Sequence, residues 1–531
     1  MEDISFRHLS RRDFVKYTLT MAAFASMPPA LLGCGVIRTG PWSGMDSDRS
    51  TALTNCRIID VKAGQAVSGA SVIFEKGRVS NITHQEVTPS DRLLVMDMGG
   101  RYVCPGLIDG HCHTTLSAGH RVSTNPILLL RHYKQLRRQY TSTVESGVTT
   151  VRDLGSFTRL INEFEFEIRK GVLRGPRIVR CNRIVNTFGS HPDVPPTQVH
   201  MLAGMVLPFL GLAMTNFKND FELERDLNEN IDGASFIKLT VDNVSLLCGK
   251  DKIPVYTDGQ LKKIFNFAYQ ESMPVAAHCL FEWGFNRITD YPVHSLEHIV
   301  SDTYLSDAQI KKMADKKITI VPTMTLGETY LMDEGYTTLP PEFDTEFIRK
   351  ELEIRREYIH NVPESQCDPV IHADCMDVLQ SFKTVGRDHF LENGLFIPKP
   401  EPFFGVAKYG VENLRKMKQA GVLIGCGMDA GTPMNYFGAL YRELEFYARI
   451  GFKNDELLRC ATINNAKILG IEDKAGSIEP GKYADFVVYD ENPLENVLAF
   501  RKPVIVIKEG EILHSTLTPE NGKNSIKVKA A

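Results

Sequence analysis

Residues 103–113 read VCPGLIDGHCH, a short apolar run that ends in two histidines. The run 103–109, with Pro and Gly beside it, predicts a buried strand. His111 and His113 stand two apart at the end of this strand, so both side chains point to one side. Two imidazoles on one side can bind a metal together, although a single His-x-His motif is by itself a weak signal of a metal site.

Seven further apolar runs follow, each separated from the next by a segment long enough for a helix. They are residues 148–153, 177–185, 235–240, 274–278, 293–297, 318–322 and 422–428. This alternation predicts an α/β fold, a (β/α)8 TIM barrel over residues 103–474. Active sites of such barrels lie at the carboxyl ends of the strands, so the residues there are the candidates for chemistry.

The two ends of the chain share another texture, with short alternating strands and Gly turns. Residues 51–102 and 475–515 predict one small β-sandwich domain built from both ends, with 516–531 as a tail. One segment between barrel strands, 323–421, is too long for a single helix and loop. We expect it to be an insertion that lies over the barrel mouth.

The first 34 residues predict an export signal rather than part of the fold. Arg11 and Arg12 precede a short apolar run and resemble a twin-arginine signal, and the run ends at Cys34 as in a bacterial lipoprotein. A lipid on Cys34 would anchor the chain, with residues 35–50 as a polar tether. The sequence therefore predicts export by the twin-arginine machinery and an extracytoplasmic, membrane-anchored lipoprotein, in the periplasm or at the surface of a bacterium. A transmembrane anchor and a cleaved soluble precursor are the alternatives.

Composition excludes several classes of protein. Lys and Arg number 61 against 65 Asp and Glu, and a net charge of −4 gives no basic surface for a nucleic-acid partner. Eleven cysteines in 531 residues are too few for a disulfide scaffold. We interpret Cys112, Cys279 and Cys426 as small core residues, and a disulfide between Cys367 and Cys375 is left open.

Four more polar residues stand at or near strand ends. Lys238 lies among apolar residues, where it is either paired with a carboxylate or carbamylated by carbon dioxide into an anionic metal ligand. His278 and His298 end two later runs, and each alone would more often be structural. Asp429 follows the last run, where a carboxylate can bind a metal and take a proton from water.

As a set, these residues resemble the amidohydrolase superfamily in its two-metal form with a carbamylated lysine. His-x-His, Lys, His, His and Asp stand in that order at the ends of strands one, four, five, six and eight. The resemblance covers roughly residues 51–515 and includes ESGVTTVRDLG (145–155) and LLRCATINNAKILG (457–470). Within the superfamily, the chain is most similar to the Xaa-Pro dipeptidase-like and imidazolonepropionase-like branch.

The resemblance implies two divalent metal ions, with zinc as the default at a His-rich site. The carbamate of Lys238 would bridge the two ions. Asp429 would be the catalytic residue that takes a proton from the attacking hydroxide and returns it to the leaving nitrogen. His191, in a Gly-containing loop after strand three, would bind the substrate. The metal ligands that the resemblance implies are His111, His113, Lys238, His278, His298 and Asp429.

The function that follows is hydrolysis of an amide-type C–N bond in a small molecule: a dipeptide, an N-acyl amino acid or a cyclic amide. A mononuclear deaminase of the same fold is one alternative, and a non-catalytic ligand-binding surface lipoprotein is another. Two departures from the branch lie near the site. Residues 240–243 (TVDN) stand where a Gly-Gly loop is usual, and Met428 stands where Thr is usual, so the substrate is not carried over. A homo-oligomer is the default assembly.

Overall fold

The computed structural model describes residues 49–119, 126–192, 213–245, 250–326, 341–377, 404–518 and 527–529. The predicted signal peptide with Cys34 and most of the tether lie outside these ranges. Parts of the 323–421 insertion and of the 516–531 tail also lie outside them. Within the ranges given, no helix combines the length and the apolar character needed to cross a membrane.

The strands in these ranges fall into a mixed sheet built from the two ends of the chain and short, mostly parallel strands between them. In chain order they are β1 (Ser50–Asp60), β2 (Gln65–Glu75), β3 (Arg78–Thr83), β4 (Leu93–Asp97), β5 (Tyr102–Pro105), β6 (Leu107–Cys112), β7 (Val148–Asp153), β8 (Arg177–Arg180), β9 (Ile184–Val185), β10 (Ile237–Thr240), β11 (Val244–Ser245), β12 (Lys250–Asp251), β13 (Val275–His278), β14 (Ser295–Glu297), β15 (Thr319–Val321), β16 (Phe486–Tyr489), β17 (Ile505–Lys508), β18 (Glu511–Ser515) and β19 (Lys527–Lys529).

Helices alternate with the parallel strands, and several begin at side chains that cap their first turn, such as Thr257 and Ser306. In chain order they are α1 (Pro126–Glu145), α2 (Thr158–Arg169), α3 (Asp220–Asn230), α4 (Asp258–Gln270), α5 (Glu282–Ile288), α6 (Asp307–Asp315), α7 (Glu346–His360), α8 (Val411–Gln419), α9 (Leu440–Arg449), α10 (Asn454–Arg459) and α11 (Asn465–Ile468).

Strands from both ends of the chain share one nine-stranded sheet. The central strand β1 pairs antiparallel with β2 and parallel with β4 and β5. The later strands join through β16, which pairs antiparallel with β5 so that Phe486 lies opposite Pro105. Leu53, Val72 and Phe486 belong to a buried apolar core on this sheet. Both ends thus contribute to one sheet, whereas its arrangement as a two-layered sandwich stays a prediction.

A partly buried charge cluster joins this sheet to the parallel strands. Arg177 begins β8, and its guanidinium lies 2.8 Å from the Asp485 carboxylate and 2.5 Å from that of Glu509. The guanidinium carbon also lies 3.7 Å from the centre of the Tyr483 ring. The cation–π contact and two ion pairs therefore fix the position of β8 against the end of the chain.

The parallel strands form two sheets, β6–β7–β8 and β15–β14–β13–β10–β9. Residues 422–430 lie between their outer strands, because Ile320 bridges to Ile424 and Cys112 bridges to Ala430. The fold is therefore α/β and consistent with a TIM-barrel type. Carboxyl ends of parallel strands meet on one side of such a fold, which brings distant parts of the chain together there.

Three predicted strands differ from what the structure contains. The first begins at Leu107 rather than at 103, because residues 102–105 pair with β16 in the terminal sheet. The third splits into β8 and β9 around Asn182, which has a left-handed backbone with φ of 64°. Residues 422–428 are not a continuous strand: one isolated bridge forms within them, at Ile424. The Asn465 side chain instead donates to the Cys426 carbonyl and accepts from its N–H.

Candidate metal centre

The candidate site lies where the parallel strands end. His111 is the next-to-last residue of β6, His298 directly follows β14, and Asp429 follows the segment 422–428. All three are buried, and each offers one ligand atom within 4.8 Å of those of the other two. Residues that are 131 to 318 positions apart in the chain thus form a group that could hold a metal ion.

Hydrogen bonds orient three of the histidine rings. The Nδ1 atom of His111 lies 3.0 Å from Glu297 Oε2, that of His113 lies 2.7 Å from the Gly155 carbonyl oxygen, and that of His298 lies 2.7 Å from Thr323 Oγ1. The Glu297 carboxylate and the Gly155 carbonyl only accept, so they fix the proton of His111 and His113 on Nδ1 and leave the lone pair on Nε2. The Thr323 hydroxyl can accept or donate at His298 Nδ1. All three partners contact Nδ1, so Nε2 of each ring is the nitrogen left to bind a cation.

The atoms that face one another in this group fit a bound metal. The Asp429 Oδ1 atom lies 3.3 Å from His111 Nε2 and 3.2 Å from His113 Nε2. Over the described residues, His111 Nε2, Asp429 Oδ1 and Lys238 Nζ are buried without a hydrogen-bond partner. Buried polar atoms normally have one, so the unpartnered lone pairs of His111 Nε2 and Asp429 Oδ1 are the arrangement that a cation would complete.

The charge on Asp429 supports the same interpretation. Burial raises the pKa of its carboxyl, but the neighbouring His111 and His113 outweigh burial and hold that pKa well below the usual range. The carboxylate is therefore ionised at neutral pH. An ionised carboxylate beside two imidazoles can bind a divalent cation and accept a proton from water.

Five histidine rings form a continuous series across the site. From His113 through His111, His298 and His278 to His191, each ring centre lies between 4.5 and 5.7 Å from the next. The rings of His191 and His278 are stacked, and Ser245 Oγ lies 3.2 Å from His191 Nδ1. The structure thus brings together every histidine that the sequence proposed for this site.

Burial keeps three rings of this series uncharged. It lowers the pKa of His278 and His298 well below the ordinary value, and that of His191 to about 4. A neutral imidazole has one lone pair that can bind a metal ion and one N–H that can donate to a substrate oxygen.

Lys238 lies in β10 between β9 and β13 and is almost fully buried. Burial lowers the pKa of its ammonium group to about 8, although Glu297 raises it. The amine is the form that reacts with carbon dioxide, and a pKa near 8 makes that form accessible at neutral pH. Among the residues the structure describes, no carboxylate lies within ion-pair distance of Nζ, so the alternative of a paired lysine loses its support.

A buried ion pair supports His111 and was missed from the sequence. Glu297 accepts hydrogen bonds from Arg152 Nη1 at 2.7 Å and from Ser295 Oγ at 2.6 Å, in addition to its contact with His111. Burial raises the pKa of Glu297, but Arg152 and His111 outweigh it and lower that pKa to about 2. The sequence did contain a signal for this pair, since Arg152 and Glu297 are opposite charges inside the apolar runs VTTVRD and VHSLE.

A second support, also missed, lies after β15. Glu443, on α9, is fully buried and accepts from the backbone N–H groups of Met324 at 2.7 Å and Thr325 at 2.8 Å. It thereby fixes the loop that contains Thr323, whose hydroxyl contacts His298. Nothing in the sequence near Glu443 indicates this role, because its partners, two backbone N–H groups and the Thr325 hydroxyl, are about 118 residues away.

The structure also settles several minor expectations. Cys112, Cys279 and Cys426 are buried in the main core, as expected. Cys367 and Cys375 are free thiols, so the disulfide left open between them is not formed. The side chain of Met428 is buried, and Thr325 Oγ1 lies 3.5 Å from its sulfur, so this departure from the family pattern is a change in the core.

Comparison with protein families and solved structures gives the same picture at the level of fold. A model described as the amidohydrolase family matches residues 102–513. A solved Xaa-Pro dipeptidase with methionine bound in its active site is 22% identical, with a TM-score of 0.63 over 87% of this chain and 99% of that one. A molinate hydrolase is 18% identical, with a TM-score of 0.65 over 88% of this chain and 94% of that one. At these identities the likeness is one of fold.

A shorter match concerns a different class of enzyme. A 5-methylthioadenosine/S-adenosylhomocysteine deaminase of Teredinibacter turnerae is 34% identical over 88 residues, which are 15% of this chain and 20% of the deaminase. The chain thus spans only about a fifth of the length of this curated relative.

Proposed function

The chain belongs to the amidohydrolase family, and on that premise we propose that it is a metal-dependent hydrolase acting on an amide-type C–N bond of a small molecule. The substrate classes proposed are dipeptides, N-acyl amino acids and cyclic amides. The observation that carries the proposal is the buried group of His111, His298 and Asp429, whose ligand atoms converge within 4.8 Å.

Six residues would hold the metal ions. His111, His113 and Asp429 would bind one ion, and His278 and His298 the other. Carbon dioxide would add to the neutral amine of Lys238 with loss of one proton, and the resulting carbamate would lie between the two ions. When bound, two divalent cations, zinc by default, would lower the pKa of water and polarise a carbonyl group.

The remaining chemistry falls to side chains of the chain itself. Asp429, ionised at neutral pH, accepts the proton of the attacking water and donates it to the leaving nitrogen, so that a carboxylic acid and an amine are released. His191, neutral and held by Ser245, donates from its other ring nitrogen to the substrate carbonyl or carboxylate. Glu297 keeps the His111 ring oriented throughout.

We extend the proposal to fold and location. Residues 422–430 would act as the eighth member that closes the two parallel sheets into a barrel, and the terminal sheet would fold as a small sandwich. The N-terminal segment would direct export by the twin-arginine machinery, and a lipid on Cys34 would hold a homo-oligomeric enzyme at the outer side of the bacterial membrane. The partner is then a small-molecule substrate, met outside the cytoplasm.

A mononuclear deaminase is the second candidate, and the short match to a deaminase is the observation that favours it. The two candidates differ in the role of Lys238. A two-metal hydrolase needs this residue as a ligand, whereas a one-metal deaminase does not.

The test is the metal content of the chain, produced with added bicarbonate and measured by plasma mass spectrometry. We expect about two metals per chain in the wild type and fewer in Lys238→Ala, because the bridging group is lost. Lys482→Ala is the matched control, since Lys482 is also buried but belongs to the terminal domain. Asp429→Asn should then abolish turnover in a screen of dipeptides, N-acyl amino acids and cyclic amides.

Each other outcome contradicts the proposal in its own way. One metal per chain that Lys238→Ala leaves unchanged supports the deaminase. No metal in a folded chain supports the non-catalytic binding lipoprotein.

A further inference from the structure

The ends of three neighbouring strand segments share an uncommon backbone conformation. His298, Thr323 and Asp429 all have a left-handed backbone, with φ of 72°, 47° and 54°. This region is unfavourable for side chains with a Cβ atom, and most of all for a β-branched one such as Thr. Strained backbone conformations are concentrated at functional sites, and two of the three residues are proposed metal ligands. Thr323 is the one whose strain the proposed function has not explained.

The contact of Thr323 gives a reason for its conformation. Its hydroxyl oxygen lies 2.7 Å from His298 Nδ1, and both residues are buried. A His298 ring that binds a cation through Nε2 carries its proton on Nδ1, which then donates to this hydroxyl oxygen. The ring is thereby held with Nε2 directed toward the group that His111 and Asp429 complete.

The loop that carries Thr323 is itself fixed from the other side. Glu443 accepts three hydrogen bonds from the two residues that follow, from Met324 N at 2.7 Å, Thr325 N at 2.8 Å and Thr325 Oγ1 at 2.7 Å. A fully buried carboxylate that binds two successive N–H groups holds the local backbone in one conformation. This restraint provides the free energy that keeps Thr323 in a strained conformation.

We propose that Thr323 is a positioning residue for the second metal: fixed by Glu443, it holds the His298 ring and thereby sets the affinity for the ion that His278 and His298 bind. The inference rests on the proposed two-metal function. It assigns a role to a residue that binds neither metal nor substrate.

Three variants of the full chain separate the hydroxyl of Thr323 from its backbone strain. Thr323→Ser keeps the hydroxyl, Thr323→Val keeps the β-branched shape without it, and Thr323→Gly removes both the hydroxyl and the strain. The readout is the zinc dissociation constant of each site, measured by competition with a chromogenic chelator. Loss of a hydrogen bond to a ligating histidine typically weakens metal binding about 10- to 100-fold.

We expect Thr323→Ser to bind the second zinc within about threefold of wild type, and Thr323→Val and Thr323→Gly to bind it about 10- to 100-fold more weakly. Thr323→Gly should nevertheless melt at a higher temperature than Thr323→Val, because Gly adopts a positive φ without strain. Metal affinity and thermal stability thus rank the variants differently, which a purely structural role would not produce.

Lys317→Gly is the matched control. Lys317 precedes β15, is exposed and also has a left-handed backbone, with φ of 55°. Its replacement should leave both zinc affinities unchanged.

The outcomes distinguish this inference from the proposed function. If the wild type binds two zinc ions and Thr323→Gly binds the second as tightly, or Thr323→Ser loses it, the positioning role is refuted. If Thr323→Val does not fold, the comparison of Ser with Gly still decides. If the wild type binds no second zinc, the proposed two-metal function itself fails.

Discussion

Replacing Glu297 by Gln removes one negative charge from the support of His111 and changes little in size. Glu297 is fully buried and paired with Arg152 at 2.7 Å. Its pKa is lowered from 4.5 to about 2, a difference that corresponds to about 3 kcal/mol of stabilisation in the folded state. Removing one partner of a buried pair costs about 3–5 kcal/mol in general, which agrees. We therefore expect Glu297→Gln to lower the free energy of unfolding by about 3 kcal/mol.

The assay is equilibrium unfolding in urea of the metal-free protein, together with zinc affinity of the folded protein. Glu351→Gln is the control, because Glu351 is equally buried and pairs with Arg449 at 2.5 Å, yet contacts none of the proposed ligands. Both variants should lose stability. Only Glu297→Gln should also weaken zinc binding, by about 10- to 100-fold, through its contact with His111.

The pH dependence gives an independent check. Because the pKa of Glu297 is lower in the folded than in the unfolded chain, its stabilisation is complete above about pH 4.5 and is lost as the pH falls toward 2. The stability difference between wild type and Glu297→Gln should therefore be constant near neutral pH and shrink in strong acid. Equal zinc affinity in the two variants, or a difference in stability that grows in acid, would refute the reasoning.

Two further predictions concern other parts of the molecule. Arg177→Met should lower the free energy of unfolding by about 3 kcal/mol, because the buried Asp485 loses its partner, while metal content measured by mass spectrometry stays the same. A loss under 1 kcal/mol would contradict this. Iodoacetamide in guanidinium chloride without reductant should alkylate both Cys367 and Cys375, as peptide mass spectrometry would show, because both are free thiols. An unmodified, disulfide-linked pair would show that the two thiols are oxidised after all.

The sequence predicted those features that depend on strand ends. Alternating strands and helices imply an α/β fold, and the rule that carboxyl ends meet on one side brings His111 and Asp429 together although 318 residues separate them. The identity of the side chains then indicates metal chemistry. The metal site itself was predicted from the resemblance of this ordered set to the amidohydrolase superfamily, and that prediction needed no knowledge of the packing.

Features that depend on packing were out of reach. Arg152 and Glu297 lie 145 residues apart, and each alone is an unexplained charge in an apolar run. Thr323 gives no signal, because neither its left-handed backbone nor its contact with His298 follows from local sequence. The break at Asn182 was missed for a similar reason, since the turn depends on hydrogen bonds from its amide to the carbonyls of residues 230 and 232.

The pairing of β5 with β16 has a consequence for synthesis on the ribosome. β5 gains its antiparallel partner β16 only late in synthesis, because Phe486 follows the opposite residue Pro105 by 381 positions. At about 5–20 residues per second, that delay lasts about 20 to 80 s. During this time the edge of β5 offers unpaired N–H and C=O groups to any other nascent chain. Until β16 has been made, this edge of the sheet is therefore a place where incomplete chains can associate.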